Sequence, residues 1–156
     1  MSSTREGRTQ CAENEPPAGL ALADAEAVLA AQPFSVLLGT RLTRFDGTGA
    51  TLELDLRPEH LQQNGFAHGG ILAYLADNAL TFAGGTALGP AILTGGLALD
   101  YLRPAPAGAT LRADAAVVHH SRRRAVCRCD ITAVRADGET VTCAAAQGTI
   151  VAVGDR

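Results

Sequence analysis

Hydrophobic and polar residues alternate along two regions of the sequence, and a long apolar stretch lies between them. The first region, 38–56, alternates on both sides of a tight Asp-Gly turn, which predicts a β-hairpin. The second begins after Pro90 and continues to Val153, which predicts further strands. The residues expected to face inward in this second region are Leu111, Ala113, Ala115, Val117, Ala125, Cys127, Cys129, Ile131, Val141, Cys143 and Ala145.

The apolar stretch, GGILAYLADNALTFAGGTALG, is hydrophobic around nearly its whole circumference if it is helical. It predicts one buried helix that begins at Gly69 and is closed by Gly84 and Gly85. An alanine-rich segment, 20–32, predicts a short leading helix that Pro33 stops. The expected fold class is α+β, with one antiparallel sheet wrapped around a long central helix in the order β-β-α-β-β-β.

The composition fits one globular domain, since 47% of the 156 residues are hydrophobic and 19% are charged. Residues 1–19 are polar and lack hydrophobic periodicity, which predicts a flexible tail ahead of a single domain at 20–156. A net charge of -3 argues against a nucleic-acid partner. The sequence has no apolar run long enough to span a bilayer, no secretion signal and no dense cysteine pattern, so we expect a cytoplasmic protein without a membrane partner.

Two glycines directly follow His68 where the apolar helix is expected to begin. The first N–H groups of a helix lack acceptors and lie at its positive end, so the amides of Gly69 and Gly70 could hold a developing oxyanion. Glycine also lets a substrate carbonyl approach the backbone closely. The alternative is that the two glycines only form a tight turn into the helix.

Asp77 lies within this apolar helix, where a carboxylate is costly to desolvate. Such groups are retained either because they are paired or because they take part in chemistry. Thr81 lies one helical turn further along the same face, and its hydroxyl is expected to orient the carboxylate or a water molecule. The alternative is an aspartate that is paired or solvated at the edge of the helix.

The distance along the helix separates the two candidate groups. Gly69 and Asp77 are roughly 12 Å apart at ~1.5 Å per residue, so one scissile carbonyl cannot touch both. If both serve one reaction, they belong to different subunits. A two-fold dimer with antiparallel helices would bring them together in two equivalent sites.

Several motifs together resemble the PaaI-like hotdog thioesterases, a family named for phenylacetic acid degradation. The resemblance extends over about 38–153 and implies a homotetramer built from hotdog dimers. It further implies hydrolysis of an acyl-CoA thioester at the dimer interface. The matching residues are Gln62, Gly65, H-G-G at 68–70, L-A-D-N-A at 75–79 and Y-L-R-P-A-P-A-G at 101–108.

The resemblance implies a role for each residue of the helix motif. Asp77 is either the nucleophile or the general base. The amide of Gly69 polarises the thioester carbonyl, and His68 supports the loop that carries it. Thr81 matches a hydroxyl that helps to hold the carboxylate or a water molecule.

Other positions are expected to bind the substrate. Gln62 matches an amide side chain near the thioester, with Asn64 as the alternative, and Thr94 matches a serine that binds water in some relatives. Aromatic and aliphatic side chains suit aryl or medium-chain acyl groups alike. The side chains expected to line the acyl pocket include Phe66, Leu72 and Phe82.

Coenzyme A carries phosphates, which require local cations in an acidic protein. The run Arg122, Arg123 and Arg124 lies at a turn between predicted strands, and Arg103 lies on another loop. The alternative is a solvated basic turn. No cofactor or metal is expected, because His68 has no second His or Cys at ligand spacing.

Two other functions use the same fold. One is a non-catalytic acyl-CoA-binding protein, against which the intact Asp77 and the absence of a DNA-binding segment argue. The other is a hotdog acyl-CoA hydratase or dehydratase, which would need a His and an acid together for proton transfer. The sequence contains no D-x-N-P-x-H stretch that would supply that pair.

Overall fold

The computed structural model describes residues 20–154, so the predicted tail at 1–19 and Cys11 lie outside the described residues. Two helices precede the first hairpin, and a short 3-10 turn at Pro58–His60 leads from the hairpin to a long third helix. The helices are α1 (Leu22–Ala30), α2 (Pro33–Leu38) and α3 (Gly69–Leu88). The strands are β1 (Arg41–Asp46), β2 (Gly49–Asp55), β3 (Ile92–Tyr101), β4 (Thr110–His120), β5 (Arg124–Val134) and β6 (Thr140–Ala152).

All six strands form one antiparallel sheet in the order β1-β2-β4-β5-β6-β3. Helix α3 packs against every strand, which confirms the predicted α+β architecture of a sheet around a central helix. The predicted order β-β-α-β-β-β has three strands after the helix, whereas the structure has four, β3 to β6. Across residues 20–154, no helix is both long enough and apolar enough to cross a membrane.

Helix α3 continues one turn beyond its predicted end. Gly84 is buried within the helix, and a methyl group added there would lie 2.7 Å from Cβ of Ile150 in β6. The helix ends instead at Leu88, followed by Gly89 at a φ of 85°. Gly84, which the sequence predicts as a helix end, is therefore a packing residue that lets α3 lie close to the sheet.

A β-bulge reverses the inward face of β6. The register of β5 against β6 shifts between Ile131 and Thr132, which leaves Cys143 as an extra residue in β6. Beyond the bulge Ala144 is fully buried, whereas Ala145 is half-buried. The expectation that Ala145 faces inward is wrong, since strict alternation does not continue through a bulge.

The alanine-rich segment predicted as one helix over 20–32 forms α1, which packs against β1. Pro33 does more than stop that helix, because it is the first residue of α2. A proline is well suited there, since the first residue of a helix needs no N–H acceptor.

A polar cluster fastens α2 and the start of β1 to the central helix. The Tyr74 hydroxyl lies 2.7 Å from Oγ of Ser35 and 2.9 Å from Oγ1 of Thr40. Nδ2 of Asn78 lies 3.2 Å from the same hydroxyl. Because Ser35 and Asn78 are buried, these bonds satisfy polar atoms that would otherwise destabilise the core.

Candidate active site

His68 caps the start of α3 with its imidazole. Its Nδ1 accepts a 2.9 Å hydrogen bond from the Gly70 N–H, so the proton of the neutral ring is on Nε2. This bond occupies the Gly70 amide, which was one of the two donors expected for an oxyanion. His68 therefore supports the backbone at the start of α3, and the Gly69 amide is the candidate donor that this bond does not use.

The peptide between Gly69 and Gly70 is held from both sides. His68 accepts from its N–H, and the Tyr101 hydroxyl donates a 3.0 Å hydrogen bond to its carbonyl. The preceding N–H, that of Gly69 itself, has no acceptor within 20–154. A fixed N–H at the positive end of a helix is suited to polarise a carbonyl oxygen.

Tyr101 is the part of this arrangement that the sequence did not assign. Its ring contacts Gly69 so closely that an added methyl group would lie 3.2 Å from the hydroxyl. The residue lies 32 positions away in the chain, at the end of β3. Only its membership of the Y-L-R-P-A-P-A-G motif marked it in the sequence.

An open pocket of about 260 Å³ lies in front of Gly69. Gln62 lines it, and the Oε1 atom of this side chain accepts a 2.6 Å hydrogen bond from the Asn64 N–H. That bond turns the amide group of Gln62 into a fixed part of the loop, whereas Asn64 is exposed in the turn. Further lining residues are Phe66, Leu72, Tyr101 and Arg103.

The Asp77 carboxylate is half-buried midway along α3 and is oriented by a threonine from the sheet. The Thr94 hydroxyl donates a 2.8 Å hydrogen bond to Oδ1 of Asp77. Thr81 was expected to reach this carboxylate, but its hydroxyl donates to the backbone carbonyl of Asp77 at 2.9 Å. Its oxygen also lies 2.9 Å from that of Thr94, so Thr81 touches the carboxylate only through Thr94.

Gly69 and Asp77 do not meet within one chain. Each is paired with a different end of β3, since Tyr101 contacts Gly69 and Thr94 contacts Asp77. Eight residues of helix put roughly 12 Å between them. One chain thus contains two candidate half-sites, one near each end of β3.

Strand β3 is an edge strand whose outer side has no partner among the six described strands. Leu93, Leu97 and Tyr101 on this strand are 60%, 40% and 58% exposed. An edge strand with exposed apolar side chains is a template for pairing with another chain.

The four arginines expected to bind phosphate lie at opposite ends of the sheet. Arg103 follows the end of β3, and its N–H contacts the carbonyl of Cys143. The backbone carbonyl of Arg123, in the run 122–124, accepts a hydrogen bond from the Ala152 N–H beside the start of β3. The length of β3 separates the two groups by roughly 30 Å at ~3.3 Å per residue.

The residues expected to line one acyl pocket are also divided. Phe66 and Leu72 line the pocket in front of Gly69. Phe82 lines a second cavity, of about 200 Å³, that begins at Thr81.

The buried cysteines do not supply a nucleophile. Burial raises the pKa of Cys127 to about 11 and that of Cys129 to about 12. The pKa of Cys143 is also raised, chiefly by burial. These thiols remain protonated near neutral pH, and only thiolates are good nucleophiles.

Comparison with known proteins agrees with this geometry. The chain is similar to the E. coli PaaI protein of the phenylacetic acid degradation operon, with 27% identity, a TM-score of 0.75 and coverage of 85% of this chain and 92% of that chain. A mutant of the phenylacetic acid degradation protein PaaI from Thermus thermophilus is 34% identical, with a TM-score of 0.68 and coverage of 78% and 100%. A thioesterase family protein from Silicibacter pomeroyi is 26% identical, with a TM-score of 0.77 and coverage of 86% and 96%.

No curated protein sequence matches the chain significantly. The sequence model of the thioesterase superfamily matches residues 64–142, a region that contains Gly69, Asp77 and Thr94. The match therefore includes both half-sites as well as most of the sheet. On this basis the chain belongs to the thioesterase superfamily, as a thioester hydrolase of the PaaI-like hotdog type.

Proposed function

We propose that the protein hydrolyses an aryl- or medium-chain acyl-CoA to the free acid and CoA, in an active site shared between two subunits. The observation that carries this proposal is the pair of half-sites on α3. One is the Gly69 N–H at the start of the helix, which has no acceptor within 20–154, and the other is the Asp77 carboxylate, which accepts a hydrogen bond from Thr94.

The chemistry needs only these two groups. The Gly69 N–H binds the thioester oxygen and stabilises the charge that develops on it. Asp77 of the partner subunit then acts in one of two ways. As a general base it takes a proton from the attacking water; as a nucleophile it forms an anhydride that water hydrolyses. In both cases the C–S bond breaks, and the thiolate leaves and is protonated to free CoA.

The edge of β3 supplies the geometry that joins the half-sites. Suppose that two β3 strands pair antiparallel about a two-fold axis at Ala98. Thr94 then lies three ladder positions before the axis, because the bulge residue Gly95 occupies no ladder position. Tyr101 lies three positions after the axis. Thr94 of one chain then lies opposite Tyr101 of the partner subunit, so Asp77 approaches the partner's Gly69.

The same dimer brings the separated arginines together. The start of one β3 lies beside the end of the other, so Arg103 shares an end of the joint sheet with the partner's 122–124. This end also carries the pocket in front of Gly69, from which the nucleotide would extend. The arginines therefore suit the phosphates of CoA on both sides of the interface. By the family resemblance, two such dimers form a homotetramer.

We also assign the reaction to the cytoplasm. Cys127, Cys129 and Cys143 are free and buried thiols, as is usual for proteins of a reducing compartment.

Asp77→Asn tests the proposed function directly. The amide preserves the shape of the side chain and its bond from Thr94 but removes the base or nucleophile. We expect the turnover number for acyl-CoA to fall about a hundredfold or more, in line with general acid–base contributions. The measurement is thiol release from a panel of acyl-CoAs.

Asp137→Asn is the matched control, because Asp137 is exposed in the turn between β5 and β6. It should hydrolyse acyl-CoA as the unchanged protein does. Full turnover by a folded Asp77→Asn protein would contradict the role of Asp77. No thiol release by the unchanged protein from any acyl-CoA would contradict the proposed function itself.

A further inference from the structure

The cavity that begins at Thr81 lies between α1 and the C-terminal half of α3, outside the two half-sites. We propose that this cavity holds the acyl group and limits it to about one aromatic ring or an aliphatic chain of similar volume. This inference rests on the proposed function and specifies its substrate class.

The cavity lies directly beside the catalytic carboxylate. Thr81 is one helical turn beyond Asp77, which is about 6 Å at ~1.5 Å per residue. On the facing strand, Ile92 lines the cavity, and Thr94 is two residues further on. An acyl chain whose carbonyl is at Asp77 therefore reaches the cavity with its first few carbons.

The walls of the cavity are almost entirely apolar. Phe45 and Phe82 both line it, with ring centroids 6.3 Å apart and planes at 87°. Val28 of α1 lines the cavity and is 47% exposed, so it lies at the outer wall. None of the side chains that line the cavity is charged, which favours a hydrocarbon group.

The absence of a side chain at Gly85 keeps the cavity open. An added methyl group there would lie 3.3 Å from Cδ1 of Ile92, on the opposite wall. Any larger side chain at this position would occupy volume that the substrate needs.

The volume sets the limit on the acyl group. An apolar cavity of about 150 Å³ is sufficient to bind benzene. The cavity here measures about 200 Å³, so it accepts one ring with a short linker or a chain of comparable size. Each methylene that becomes buried should raise kcat/KM about fourfold, and further methylenes that extend past Val28 into solvent should add nothing.

Part of the cavity lining comes from residues that precede the region that the superfamily model matches. Val28 in α1 and Phe45 in β1 both precede residue 64. The amino-terminal elements of this chain therefore contribute to the selectivity for the acyl group, together with Phe82 and Gly85 of the matched segment.

The test compares kcat/KM for acetyl-, hexanoyl-, phenylacetyl- and dodecanoyl-CoA. With the unchanged protein, kcat/KM should rise from acetyl to hexanoyl and phenylacetyl and should not rise further with dodecanoyl. Val28→Phe and Gly85→Ala each reduce the cavity volume. Each should lower the phenylacetyl-to-acetyl ratio of kcat/KM, by about tenfold for Val28→Phe and less for Gly85→Ala.

Val118→Phe is the control, because Val118 is 62% exposed on β4 and does not line the cavity. Its ratio should equal that of the unchanged protein. Equal ratios in all four proteins, with thiol release intact, would overturn the cavity as the acyl site. If dodecanoyl-CoA were hydrolysed far better than hexanoyl-CoA, the size limit would be wrong. Loss of thiol release from every substrate by the unchanged protein would instead contradict the proposed function.

Discussion

Two side chains fix the backbone where the thioester carbonyl is expected to bind. His68 holds the N–H of the Gly69–Gly70 peptide, and Tyr101 holds its carbonyl. The Gly69 N–H is thereby directed away from the helix without an acceptor of its own within 20–154. The carboxylate of Asp77 is also fixed by a neighbouring side chain, since the Thr94 hydroxyl donates a hydrogen bond to its Oδ1.

Thr94→Val and Thr81→Val form a matched pair that tests how the carboxylate is positioned. Thr94→Val removes the hydrogen bond to Oδ1 of Asp77, and a bond to a charged group contributes about 1.5 to 3 kcal/mol. Partial exposure reduces that value, so we expect kcat to fall about tenfold with little change in KM. Thr81→Val removes a bond to a backbone carbonyl, and kcat should fall less than threefold. The measurement is steady-state hydrolysis of one acyl-CoA by both variants.

A larger loss of kcat in Thr81→Val than in Thr94→Val would contradict this assignment. An equal rise in KM for both would indicate a binding role instead. Thermal unfolding of each variant controls for loss of structure.

The sequence indicated candidate residues for the site but not the contacts between them. Asp77 and Gly69 stand out because a carboxylate in an apolar helix and a glycine at a helix start are unusual locally. The sequence indicates Thr81 because spacing along one helix can be counted, whereas the contact of Thr94 with Asp77 depends on how the sheet closes around α3. Tyr101 was not assigned for the same reason.

At the scale of elements, the contact between α3 and the sheet determines where both half-sites lie. Small residues on the facing surfaces let the helix approach closely. An added methyl at Gly148 would lie 3.0 Å from Leu80, and one at Gly84 would lie 2.7 Å from Ile150. Close packing of this kind leaves little freedom for Asp77 to move along β3.

Gly84→Ala tests the packing of α3 against β6. Alanine improves helix propensity by about 1 kcal/mol, but overpacking a core costs about 1 to 3 kcal/mol. The contact is with the branched carbon of Ile150, which cannot rotate away, so the cost should exceed the gain. We expect the free energy of unfolding, measured in urea at fixed protein concentration, to fall by up to about 2 kcal/mol.

Gly47→Ala is the control for this prediction. Gly47 lies in the turn between β1 and β2, where an added methyl group meets no heavy atom within 4 Å. Its free energy of unfolding should change by less than about 0.5 kcal/mol. A Gly84→Ala protein at least as stable as the unchanged one would contradict the packing argument.

Two features of the elements could not be predicted from periodicity. A glycine at the end of an apolar helix has the same local signature whether it stops the helix or packs inside it, and Gly84 packs. The bulge at Cys143 changes the phase of β6, but nothing in the alternation before it indicates the change. Both depend on partners that are distant in sequence.

At the scale of the whole molecule, the proposed active site depends on the edge of β3. The unpaired edge among the described strands and the two half-sites both fit the proposed two-fold dimer. The axis is expected at Ala98, because only that position gives equal numbers of ladder steps to Thr94 and Tyr101. The proposed arrangement would also put the proposed acyl cavity of one subunit beside the Gly69 pocket of the other.

Ala98→Cys tests the position of this axis. Residues opposite each other in antiparallel strands have Cα atoms about 4.5 to 5.5 Å apart, which lies within the range that a disulfide spans. Ala98 is exposed and alternates with Leu97, which pairs with Gly148 beside α3, so its side chain lies on the outer face. In a Cys11→Ser background, mild oxidation should therefore convert most of the protein into a disulfide-linked dimer on a non-reducing gel.

Ala116→Cys, at an exposed alanine of β4 away from the edge, should remain unlinked under the same conditions. If Ala98→Cys were no more readily linked than Ala116→Cys in a protein that is dimeric in solution, the subunits would meet elsewhere. The shared site of Gly69 and Asp77 would then lack its structural basis.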